Sequence, residues 1–66
     1  MRFNLIIFDN EDMQEIKNIV IDEVSSLKSA CKIAELHEEK INEKYPDTTV
    51  VLERLDDAWK NYIKCN

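Results

Sequence analysis

His37 is the only histidine in this 66-residue chain, and its plausible chemical companions are Cys31 and Glu38. A Cys/His pair six residues apart on a helix does not share a face, because helical neighbours lie three or four apart. A metal centre needs three or four converging ligands. His37 therefore reads as a structural or surface histidine, and no metal site is expected. Carboxylates are plentiful, with adjacent pairs at Glu11/Asp12, Glu38/Glu39 and Asp56/Asp57. Adjacent side chains diverge on a helix and point to opposite faces of a strand, so these pairs read as solvated acidic surface. The run Asp9, Asn10, Glu11, Asp12 matches a calcium loop in composition only, since it lacks the glycine and the spaced glutamate of an EF-hand. Ser25, Ser26 and Ser29 have no base beside them, and the first two suit a helix cap better than nucleophilic work.

The chain contains no glycine. Phosphate-cradling loops need glycine so that the backbone can approach the phosphate. A P-loop, a dinucleotide-binding fingerprint and a G-x-S-x-G nucleophile elbow are all excluded. A 66-residue domain also has little room for a ligand cleft of about 300 Å³ or more. The expectation is a protein that is not an enzyme and carries no cofactor.

Any tight turn in such a chain is expected to use Asp or Asn, which tolerate left-handed backbone better than other residues. Asp9-Asn10 and Asp56-Asp57 are the two places that offer it. Residues 2–8 read as a strand, short, aromatic and β-branched. Its faces are Phe3, Leu5, Ile7 on one side and Asn4, Ile6, Phe8 on the other, so both are mostly apolar. A strand of that kind is covered on both sides. Residues 9–14 form a polar turn. Residues 15–24 read as a second strand in a hairpin with the first, because Ile19, Val20 and Ile21 are poor helix formers. The spacing of Met13, Ile16, Val20 and Val24 leaves a helix as the rival.

Residues 25–45 give the clearest helix, capped by Ser25 or Ser26 and stopped by Pro46. Leu27, Ala30, Cys31, Ala34, His37 and Ile41 line one face of it. Its charges run against the helix dipole, with Lys28 and Lys32 early and Glu35, Glu38, Glu39 and Glu43 late. Residues 48–55 open as a third strand and residues 58–63 return as a fourth. In the rival reading, Val51, Leu52, Leu55, Trp59 and Tyr62 form a helical stripe. The expected architecture is one small α+β domain over residues 1–66. It is a ββαββ antiparallel sheet of three or four strands with one main helix on one face, its C-terminal element open to a helix.

One helix covers one face of a sheet. Ile6 and Phe8 on the far face then mark an interaction patch. The formal charge is −5, and residues 1–24 carry six acids against two bases. An acidic chain without a basic cluster argues against direct nucleic-acid binding. No apolar run approaches the ~18 residues of a membrane span, and residues 5–8 are too short for a signal-peptide core. A cytoplasmic location is expected, with Cys31 and Cys65 as two reduced thiols. Lysine outnumbers arginine seven to two, which hints at an AT-rich genome such as that of a low-GC bacterium or its phage.

The functional expectation is a protein-interaction module that self-associates, as in a homodimer, or docks on a larger host protein. A phage or mobile-element modulator would fit. The candidate partner surface is Ile6, Phe8, Asp9, Glu11, Asp12, Trp59 and Tyr62. The alternative is an acidic decoy, built on the cluster around Asp9, Glu11, Asp12 and Glu15 and on the stretch Glu35–Glu43, that occupies a nucleic-acid-binding site on a host protein.

Overall fold

The computed structural model describes residues 1–56 and 62–65. The elements run β1 (Phe3–Asp9), β2 (Glu15–Ile21), α1 (Leu27–Asn42), β3 (Thr48–Arg54) and β4 (Tyr62–Lys64). The four strands form one antiparallel sheet in the order β2-β1-β3-β4. This is the α+β, ββαββ architecture that the sequence predicts. The helical rival for residues 15–24 does not form, and Tyr62–Lys64 is a strand rather than the end of a helical stripe.

The apolar run in β1 has its physical reason in the strand order. β1 lies between β2 and β3, and Phe3, Leu5 and Ile7 are fully buried against α1. Cross-strand pairing puts Ile21 and Ile19 beside Phe3 and Leu5 on one flank, and Leu52 and Val50 beside Leu5 and Ile7 on the other. Ala30 and Ala34 are the buried positions of α1, and their small side chains let the helix approach the sheet closely. Phe3, Leu5, Ile7 and Leu52 are the largest fully buried side chains. Each contributes about 2 kcal/mol relative to leaving it in water.

Three features differ from the sequence reading. The helix is shorter than residues 25–45 at both ends. Ser26 caps it in extended geometry, and its Oγ accepts from the Ser29 backbone N–H at 3.2 Å. At the other end the Lys44 and Tyr45 N–H groups both donate to the Ile41 carbonyl, which closes the last turn before Pro46 is reached. β2 stops at Ile21 and not at residue 24. Glu23 takes a left-handed conformation with φ 57° and turns the chain there, and Val24 beyond it is buried in the core.

The left-handed positions themselves are the third difference. Among the described residues they fall at Met13 (φ 59°) and Glu23, and not at Asp9-Asn10. The reason is local hydrogen bonding. Asp9 and Asp12 accept from the Glu11 and Gln14 backbone N–H groups through their carboxylates, which folds the β1–β2 turn without either acid needing left-handed backbone. The leftover rotation lands on Met13, whose side chain is exposed and loses no packing. Asp57, from the second expected turn, lies outside the described residues. A register shift between Ile7 and Phe8 completes the hairpin, so that Ile16 is the extra residue of a bulge.

The cysteine expectation is corrected by the fold. Cys31 and Cys65 are not two separate thiols but are paired as a disulfide, with Cα atoms 5.5 Å apart. That separation lies in the usual range for a disulfide. Thirty-four residues part the two cysteines in sequence. The return of the chain through β3 and β4 brings them together, which nothing in their sequence spacing signals.

Candidate interaction surface

Residues paired across the sheet share a face, so the register assigns the side away from α1 directly. Val20, Asn4, Glu53 and Tyr62 form one row across the four strands. Asn18, Ile6, Val51 and Lys64 form the next. Glu15, Phe8 and Thr49 form the third. Among the described residues, α1 is the only helix, and it packs on the opposite face.

Exposure across this face is uneven. Ile6 sits at its centre and is only 9% exposed, while Phe8 is half-buried. Toward the edges, Val20 is 52% and Tyr62 63% exposed. Glu53 is buried beside Tyr62, its cross-strand partner. Its carboxylate pushes the Tyr62 phenol pKa up, first by hydrogen bonding to the neutral hydroxyl and then by its negative charge. Glu15 and Asn18 are joined by a 3.0 Å hydrogen bond at the β2 edge.

Of the residues proposed from sequence, the structure brings Ile6, Phe8 and Tyr62 onto one face. Phe8 and Tyr62 stand at opposite corners of it, roughly 15–20 Å apart by strand spacing and rise. Asp9 belongs to the other side, paired with Thr48 near the end of α1. Glu11 and Asp12 are exposed at the tip of the β1–β2 turn. Trp59 lies outside the described residues. The sequence reading missed Val20, Val51 and Glu15 as members of this face. The signal for Val20 was present, since alternation along 15–21 separates it from Ile19 and Ile21. Val51 required the β1–β3 register, which no local pattern encodes.

One end of the sheet gathers more negative charge than the sequence suggested. Asn10 donates from Nδ2 to Asp47 Oδ1 at 2.9 Å and accepts at Oδ1 from Thr49 Oγ1 at 2.7 Å. This clamp sets Asp47 beside the turn that carries Asp9, Glu11 and Asp12. A second network ties α1 to the same end. Thr48 Oγ1 donates to Glu38 Oε2 at 2.7 Å and accepts from Asn42 Nδ2 at 3.0 Å. Glu38, which looked misplaced near a helix C-terminus, thus has a partner in β3.

His37 is half-buried, with Nδ1 buried and without a hydrogen-bond partner among the described residues. Desolvation lowers its pKa first, and the positive charges of Lys17 and Lys40 lower it further. Among the described residues no group of three or more His, Cys, Asp or Glu side chains is placed to hold a metal ion. No described helix is long and apolar enough to cross a membrane.

The fold and this surface define the class: a four-stranded antiparallel sheet with one helix on one face and a mixed apolar and polar opposite face. No family model matches the chain, and neither the curated proteins nor the solved structures compared with it give a match.

Proposed function

We propose that the chain is a non-enzymatic, cytoplasmic protein-interaction module that docks through the sheet face opposite α1, on a larger host protein or a second copy. The observation that supports this reading is the placement of Ile6, Phe8, Val20, Val51 and Tyr62 together on a face that no described helix covers. Apolar surface grouped in this way is the usual mark of an interaction site. Tyr62 is suited to such a face, since tyrosine is enriched at interfaces and offers both a ring and a hydroxyl. Phage or mobile-element origin fits a small modulator of this kind.

Sedimentation velocity over a wide concentration range tests the self-association arm, first with the parent chain and then with Phe8→Lys. The expected result is a concentration-dependent species that Phe8→Lys abolishes. For the host-protein arm, cross-linking from a photoreactive group at Tyr62 in the native host is expected to capture one dominant partner, and Phe8→Lys is expected to lose it. A strictly monomeric chain that captures no Phe8-dependent partner would sink the reading.

A second reading has its own observation. The Asn10–Asp47 clamp adds a fifth carboxylate to Asp9, Glu11, Asp12 and Glu15 at one end of the sheet. An acidic decoy for a nucleic-acid-binding site would use that end. Its binding to a basic partner weakens steeply with salt, whereas docking through the apolar face does not.

A further inference from the structure

We propose that Cys31 and Cys65 form a thiol–disulfide latch that holds β4 on the sheet, so that reduction releases β4 while β1, β2, α1 and β3 stay folded. The proposal is independent of which surface binds a partner. Among the described residues β4 spans three residues and pairs with Val51, Leu52 and Glu53 of β3. Tyr62 and Lys64 are exposed, and only Ile63 faces the core, half-buried. An edge strand with so little burial belongs to the part of a fold that opens at low cost. Cys65 directly follows β4, and its bond to Cys31 joins the strand to the first half of α1.

Ile63 and the two cysteines pack against the core only as partly buried side chains, and its fully buried part lies elsewhere. The four largest fully buried side chains are Phe3, Leu5, Ile7 and Leu52, in β1 and β3. Ala30 and Ala34 of α1 pack on them, as do Ile21 of β2 and Val24. Both cysteines are half-buried and neither lies in the fully buried core. This arrangement also reconciles a disulfide with a cytoplasmic location, where disulfides that form are usually transient or sensing.

The chemistry is ordinary thiol–disulfide exchange with a dithiol reductant. One reductant thiolate attacks a cysteine sulfur and breaks the S–S bond, forming a mixed disulfide and freeing the other cysteine. The second reductant thiol then closes on the first reductant sulfur. The products are two cysteine thiols and a cyclic disulfide, with two electrons and two protons moved to the protein. Glutathione disulfide reverses the change and leaves with those electrons and protons as two glutathione molecules.

Amide hydrogen exchange followed by NMR tests the latch. The chain is compared in glutathione disulfide and in dithiothreitol, beside a Cys31→Ser/Cys65→Ser double variant in both. The expected result is at least a tenfold loss of protection in Tyr62–Lys64 on reduction, regained on reoxidation, with Leu5 and Ile7 unchanged. The double variant is expected to match the reduced chain under both conditions. Equal β4 protection in the two conditions overturns the proposal. So does loss of protection throughout β1, because the bond would then be a staple of the whole fold. Two titratable thiols after treatment with glutathione disulfide overturn it as well.

Discussion

The two faces of the sheet are made from the same strands but live under different rules. On the face toward α1, Phe3, Leu5, Ile7 and Leu52 are wholly removed from water. On the opposite face, one residue along each strand, Ile6 is nearly buried at the centre while Val20 and Tyr62 toward the edges are mostly exposed. The difference teaches that apolar character in β1 serves two purposes. Half of it closes a core against a helix. The other half is nearly buried only at Ile6, in the middle of the sheet, and is exposed toward the edges.

The largest expected effect follows from the covered face. Leu5→Ala should cost about 2–5 kcal/mol, read as a drop in the urea midpoint. A chain of this length has a total stability of about 3–10 kcal/mol, so the variant should lose a large share of it. A loss under about 1 kcal/mol would erase the distinction between the faces. Next in size is the cap that holds the covering helix in place. Ser26→Ala should cost about 1 kcal/mol by removing the acceptor for the Ser29 N–H, again measured by urea unfolding.

On the opposite face, Val20→Thr should change stability by no more than about 0.5 kcal/mol, since it substitutes an exposed position on an edge strand. A larger loss would show that this face is packed against something in the free protein. The smallest effect concerns the half-buried His37. Its folded pKa lies below the ordinary 6.5, so the unfolded chain binds the proton first as pH falls. The stabilising contribution is complete above pH 6.5 and declines below it, until the folded-state pKa is reached. An NMR titration of the His37 ring should give a pKa under 6.5, and a value at or above it would contradict the burial of Nδ1.

The sequence by itself determined β1, the main helix and the face of β1 that became core. It did so because periods of two and of 3.6 residues are local properties of the chain. Phe3, Leu5 and Ile7 alternate within one strand, and Ala30 and Ala34 recur on one helical face, wherever those elements are placed. Ser26 as a cap was legible for the same reason. The tertiary structure decided what depends on distant segments meeting. The β1–β3 register put Val51 beside Ile6, and the Asn10–Asp47 clamp enlarged the acidic end. The return of β4 carried Cys65 to Cys31 and joined two thiols that sequence reasoning had left apart. Turn geometry was decided there too. Side-chain hydrogen bonds from Asp9 and Asp12 satisfied the hairpin, and the left-handed residue became Met13 instead of an Asp or Asn.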